Sequence, residues 1–138
     1  MNHNFVKVAS AIPNVKVGNC KHNTSRIINL IERAEKKGVE IVCFPELCIT
    51  AYTCQDLFES TLLLDEVIKS IANITEATQS MDIISIFGAP IRINNFLANC
   101  AVVVRRGKII GVVPKTYLPN YNEFYEKRWF ASSDEIQN

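Results

Sequence analysis

The chain has 138 residues, enough for one domain with a real core and too few for two comfortable ones. At 48% hydrophobic and 21% charged residues, its balance is that of an ordinary globular protein. Fifteen Lys and Arg against 14 Asp and Glu leave no basic excess, so net charge points to neither nucleic acid nor an anionic membrane surface as a partner.

In chain order, the apolar, β-branched run from Phe5 to Ile12, stopped by Pro13, predicts a first strand. Asn19 or Asn23 is placed to cap a helix from about Thr24 to Lys37. Its apolar positions Ile27, Ile28, Leu30, Ile31 and Ala34 recur at helical spacing, and Gly38 supplies the stop. Val39 to Phe44 is short and almost wholly apolar, the pattern of a strand buried on both faces. Strand, helix and strand in this order predict a βαβ unit with parallel strands.

A helix-rich stretch follows over about Asp56 to Ser80, with Leu62, Leu63, Val67, Ile71 and Ile74 as its apolar face. Ile83 to Ala89 reads as a third buried strand, ending at Gly88-Ala89-Pro90. Phe96 to Val104, the Arg105-Arg106-Gly107-Lys108 turn and Ile109 to Val113 predict an antiparallel hairpin with a solvated tip. The tail beyond Pro119 is aromatic and charged, and no closing element is expected in it. The fold class expected is therefore α/β with a mixed sheet, its last edge unfinished.

Two short motifs carry the chemistry. Glu46 follows Cys43-Phe44-Pro45, at what should be the C-terminal end of a buried strand, where ligands and catalytic groups gather in open α/β sheets. Enclosed by Phe44, Leu47 and Ile49, its carboxylate would be partly desolvated and its pKa raised, which suits a general base facing a thiol. A cap for the following turn is the competing role. Lys115, just past Pro114 at another strand end, is suited to holding an oxyanion as a fixed positive charge, or is simply solvated. Glu123, eight residues on, could hold that ammonium or lie on the surface. Tyr52 and Tyr121 flank the two motifs and would suit a pocket wall that also offers a hydrogen bond.

The five cysteines, at 20, 43, 48, 54 and 100, are odd in number and irregular in spacing. With no signal-peptide character in Met1-Asn2-His3-Asn4-Phe5, they predict a reducing, cytoplasmic compartment. His3 and His22 add no metal-ligand pattern to them, so no metal is expected. No apolar run approaches the roughly 20 residues that a bilayer-spanning helix needs.

Phe44-Pro45-Glu46-Leu47 and Pro114-Lys115-Thr116-Tyr117-Leu118-Pro119 together resemble the nitrilase, or carbon–nitrogen hydrolase, superfamily over essentially the whole chain. The longer runs 44–58 and 115–130 look like the N-terminal glutaminase domains of glutamine-dependent NAD synthetases. The resemblance implies a Glu-Lys-Cys amidase on an α-β-β-α sandwich that pairs with a second subunit, so a homo-oligomer is expected. Glu46 would be the general base, Lys115 the oxyanion holder, Glu123 the supporting glutamate, and Tyr52 and Tyr121 pocket tyrosines. Glutamine would be the substrate. No cofactor is implied for this domain; ATP and Mg would serve a separate C-terminal synthetase domain that amidates deamidated NAD. The family's nucleophile lies beyond the lysine, and no cysteine of this sequence follows Lys115. Residues 1–138 are thus expected to form a partial glutaminase domain, cut before the nucleophile and silent alone. Another carbon–nitrogen hydrolase, or a catalytically dead assembly module, are the alternatives.

Overall fold

In the computed structural model, which describes residues 4–137, five strands form one mixed sheet in the order β1-β2-β3-β4-β5. β1 (Val8–Ser10), β2 (Ile41–Cys43) and β3 (Ile84–Ile93) run parallel; β4 (Phe96–Arg105) and β5 (Lys108–Pro114) continue antiparallel. This is the α/β class and mixed sheet expected, with a shorter first strand. His3 lies outside the described residues.

Helix α1 (Cys20–Lys36) joins β1 to β2, and helix α2 (Thr61–Ala77) leads into β3. Asn19, not Asn23, caps α1: its side chain accepts from the His22 N–H at 3.0 Å. Gly38 ends the helix in the left-handed region, at φ 69°, where a β-carbon would be penalised. Ser60 caps α2 by accepting from Leu63 N–H. Ile27 and Ile31 of α1 and Val67, Ile71 and Ile74 of α2 enter the core against Val42, Phe87, Val102 and Val104 of the sheet. Each such side chain contributes about 1.5–3 kcal/mol by leaving water. Leu62, expected on that face, is 73% exposed; the stripe runs through its neighbour Leu63 instead.

Three expectations are corrected by tertiary context. β2 is covered on one face only: Val42 is fully buried, while Cys43, the next residue, points to the uncovered side and is exposed. β3 does not stop at Pro90 but runs on to Ile93. The carbonyls of Ile86 and Gly88 face the β2 side, accepting from Phe44 and Ile49; Pro90, two residues on, has its missing donor on that same side, where β2 has ended. The tail does carry an element, the short helix α3 (Ser133–Gln137).

The hairpin tip forms as expected. Arg106 and Gly107 both take positive φ, 49° and 68°, as a two-residue turn matched to strand twist requires. Arg105 and Arg106 both pair with Asp82 there. With both long helices on one face, the opposite face, bearing Cys43, Ile86, Ala101, Val103 and Val113, is left open over β2 to β5.

Candidate active site

Glu46 leaves the end of β2 into the turn 46–51, which lies against the middle of β3. The contact is close enough to demand glycine at 88: a β-carbon there would stand 2.2 Å from Leu47 N and 2.8 Å from the Glu46 carbonyl carbon. The turn spends two residues in the left-handed region, Leu47 at φ 51° and Ala51 at φ 71°. Such strain persists where the surroundings over-determine it. Here they do. Leu47, Cys48, Ile49 and Thr50 are buried, and the fully buried Asn23 side chain of α1 donates to Ile49 O at 2.9 Å while closing two bonds on Lys16.

The sequence predicts a carboxylate enclosed by Phe44, Leu47 and Ile49; the structure instead leaves it half open. Its side chain is 41% exposed, and its neighbours are polar. Lys115 Nζ lies 2.7 Å from Glu46 Oε1, and Asn99 Nδ2 donates to the same oxygen. Lys115 is held at the end of β5 by its backbone N–H, which donates to Asn99 O at 2.8 Å. Asn99 on β4, 4% exposed, thus places both charged residues, one through its side chain and one through its main chain. Sequence reasoning passed over it; a polar residue inside an apolar strand was the available signal.

The carboxylate that meets Lys115 on this side is Glu126, where Glu123 was expected. Both oxygens of Glu126 lie 3.1 Å from Lys115 Nζ, and the residue is 2% exposed. Glu123 is exposed and borders a small cavity of about 220 Å³ between the two sides of this region. The reason is a local reversal. Asn122 takes φ 52°, Phe124 N–H donates to Tyr121 O, and Glu126 N–H closes back on Pro119 O, so that the chain re-enters at 126. Tyr52 joins the group by donating its hydroxyl to Glu126 Oε1 at 2.7 Å. Tyr121 does not: it is 65% exposed, packs edge-on to Phe124, and lines a separate cavity with Thr116, Leu118 and Pro119.

The electrostatics follow from these contacts. Partial burial works against the charge of Lys115, but the hydrogen bonds it donates to Glu46 and Glu126 outweigh it and hold the ammonium above its ordinary range. Partial burial and donation to Glu126 push the Tyr52 phenol up, so it stays a donor. A cavity of about 350 Å³ opens beside Glu46 and Lys115 on the uncovered sheet face, walled by Cys43, Phe44, Ile86, Cys100 and Val113. Burial pushes the thiols of Cys20 and Cys100 up to about 11 and that of Cys48 to about 12, and raises that of Cys54 as well. Inert, protonated thiols are the result. Among the described residues no group of three or more His, Cys, Asp and Glu side chains is placed to hold a metal ion. Nor is any described helix long and apolar enough to cross a membrane.

The sequence profile of the family described as carbon-nitrogen hydrolase matches residues 7–137. The glutamine-dependent NAD(+) synthetase of Mycobacterium leprae is 34% identical over 131 residues, covering 95% of this chain and 19% of that protein. The chain spans about a fifth of the length of the curated relatives it matches first. Among solved structures, a glutamine-dependent NAD(+) synthetase from Cytophaga hutchinsonii superposes with a TM-score of 0.86 at 34% identity, over 92% of this chain and 22% of that one. An amidase from Nesterenkonia sp. shares the fold at 16% identity, with a TM-score of 0.78 over 93% of this chain and 48% of that one.

Proposed function

Since the chain belongs to the carbon-nitrogen hydrolase family, we propose that it is the base-and-lysine half of a thiol-dependent glutamine amidase. The observation that carries the reading is Lys115 Nζ, held between Glu46 at 2.7 Å and Glu126 at 3.1 Å beside an open cavity. Glu46 takes the proton from an incoming thiol, and the thiolate attacks the side-chain amide carbon of glutamine. Negative charge then develops on the amide oxygen, where the Lys115 ammonium stabilises it. Glu46 returns the proton to the leaving nitrogen, ammonia departs, and a thioester remains. Water, deprotonated by Glu46, releases glutamate and regenerates the thiol. Glu126 keeps Lys115 charged and aimed, and Tyr52 fixes Glu126. Tyr121 and Glu123, both further out, would touch substrate only at the rim.

The nucleophile is proposed to come from outside residues 1–138, since the cysteines at 20, 48, 54 and 100 are buried and protonated and none of the five follows Lys115. The names of the relatives support a wider proposal: the ammonia serves a C-terminal synthetase domain that uses ATP and Mg to amidate deamidated NAD, with no cofactor at the glutaminase site. Five unpaired cysteines fit a cytoplasmic protein, and the open sheet face fits a homo-oligomer.

The test is ammonia release from L-glutamine by this chain and by one extended through about a hundred further native residues. The short chain should be silent and the long one active, with Glu46→Gln and Lys115→Met abolishing that activity. Turnover by the short chain would place the nucleophile among its own cysteines. Silence of both folded chains toward glutamine, with turnover of other amides by the long one, would keep the amidase and overturn the substrate.

A further inference from the structure

Two stretches joined by side-chain contacts that span more than 70 residues of sequence meet beside the site: the 3-10 segment Tyr52–Glu59 and the 3-10 turn Glu126–Arg128. The second carries Glu126, yet it is only three residues long and no side chain caps it. So short a turn does not hold its shape unaided, because its few backbone bonds do not offset the entropy of ordering it. Something outside it must fix the direction in which Glu126 points.

The contacts identify what does. Asp56 Oδ1 accepts from Arg128 Nε at 2.8 Å and from Trp129 Nε1 at 3.0 Å, and Oδ2 accepts from Arg128 Nη2 at 3.0 Å. Three donors from two consecutive residues converge on one carboxylate, two of them as a guanidinium fork. Behind them the Phe58 ring packs on Trp129 and Phe130, with centroids 5.8 and 5.0 Å apart. At the other end of the same segment Tyr52 donates to Glu126 itself. Gln55, next to Asp56, sits at φ 55°, ψ −135°, a strained backbone of the kind that persists only where its surroundings hold it. An isolated exposed ion pair contributes little, and Asp56 is 61% exposed. The geometry here is instead bidentate, with a third donor, and it grips the residue pair that ends the Glu126 turn.

We infer that Asp56 is a positioning residue: by clamping Arg128 and Trp129 it sets the turn that holds Glu126 against Lys115. The inference rests on the reading of Lys115 and Glu126 as the charged pair of the site. Asp56 touches neither Lys115 nor the cavity beside it and acts through the turn alone. The guanidinium and indole donors hold its carboxyl down at about 2, so the clamp is charged at neutral pH.

The chain carries one tryptophan, so a single indole N–H resonance reports on the clamp, while the Lys115 side-chain resonance, followed through its titration, reports on the pair. Glu126→Gln sets the scale by lowering the Lys115 midpoint. Asp56→Asn and the milder Arg128→Lys should each shift the indole resonance and lower the Lys115 midpoint by at least half as much, and Asp56→Glu should restore much of both. If either clamp variant fails to give a dispersed amide spectrum, the other decides. An indole shift with an unmoved Lys115 midpoint would reduce Asp56 to a surface contact and overturn the inference alone. A midpoint unmoved even in Glu126→Gln would remove the charged pair itself, and with it the reading of the site.

Discussion

Cys43 and Val42 are neighbours on a three-residue strand, yet one is exposed and the other fully buried. The alternation of a strand, with helices on one side only, is enough to separate them. The same burial that packs Cys20, Cys48, Cys54 and Cys100 also removes their thiolates, by raising their pKa values. Brief alkylation of the native chain near neutral pH, read by peptide mass, should therefore modify Cys43 alone. Modification of the other four should appear only with denaturant. Labelling of Cys48 at a rate similar to Cys43 would show that the 46–51 turn opens readily, contrary to its packing. At this scale Glu46 and Lys115 were visible in the sequence because each follows an apolar strand and a proline. Glu126 was not, because nothing in local spacing separates it from Glu123.

At the scale of elements, the turn bearing Glu46 depends on a strand it is not part of. Gly88 in β3 has no side chain because the backbone of Glu46 and Leu47 occupies that space. Gly88→Ala must push the turn off the sheet or bend β3, at a cost of about 1–3 kcal/mol by analogy with other overpacked cores. Urea unfolding should show that loss, and the Glu46–Lys115 contact should lengthen; an unchanged midpoint would mean that the turn yields freely. A glycine inside an apolar strand is the sequence signature of such an approach, and Gly88 was read there only as part of a strand end. The missed continuation of β3 has the same origin. Pro90 looks like a terminator until the absence of a β2 partner beside it is known.

For the whole molecule, α1 and α2 cover one face of the sheet and leave the other to solvent. β5 is an edge strand with Ile109, Ile110, Val112 and Val113 between 41% and 61% exposed. Unpaired edges and open apolar faces of this kind favour association. Light scattering of the chain alone should therefore show mass rising with concentration, and Val113→Lys on the edge should reduce it; a strictly monomeric chain at high concentration would contradict this. The amino-acid sequence by itself determined the order of the strands and the two long helices, the hairpin and the two charged motifs, because these are written in local periods, caps and turn residues. The tertiary structure alone decided that Glu126 meets Lys115, that Asn99 aligns both Glu46 and Lys115, and that Asp56 grips Arg128. Such choices are made across tens of residues by backbone reversals and close approaches, to which a local spacing pattern is blind.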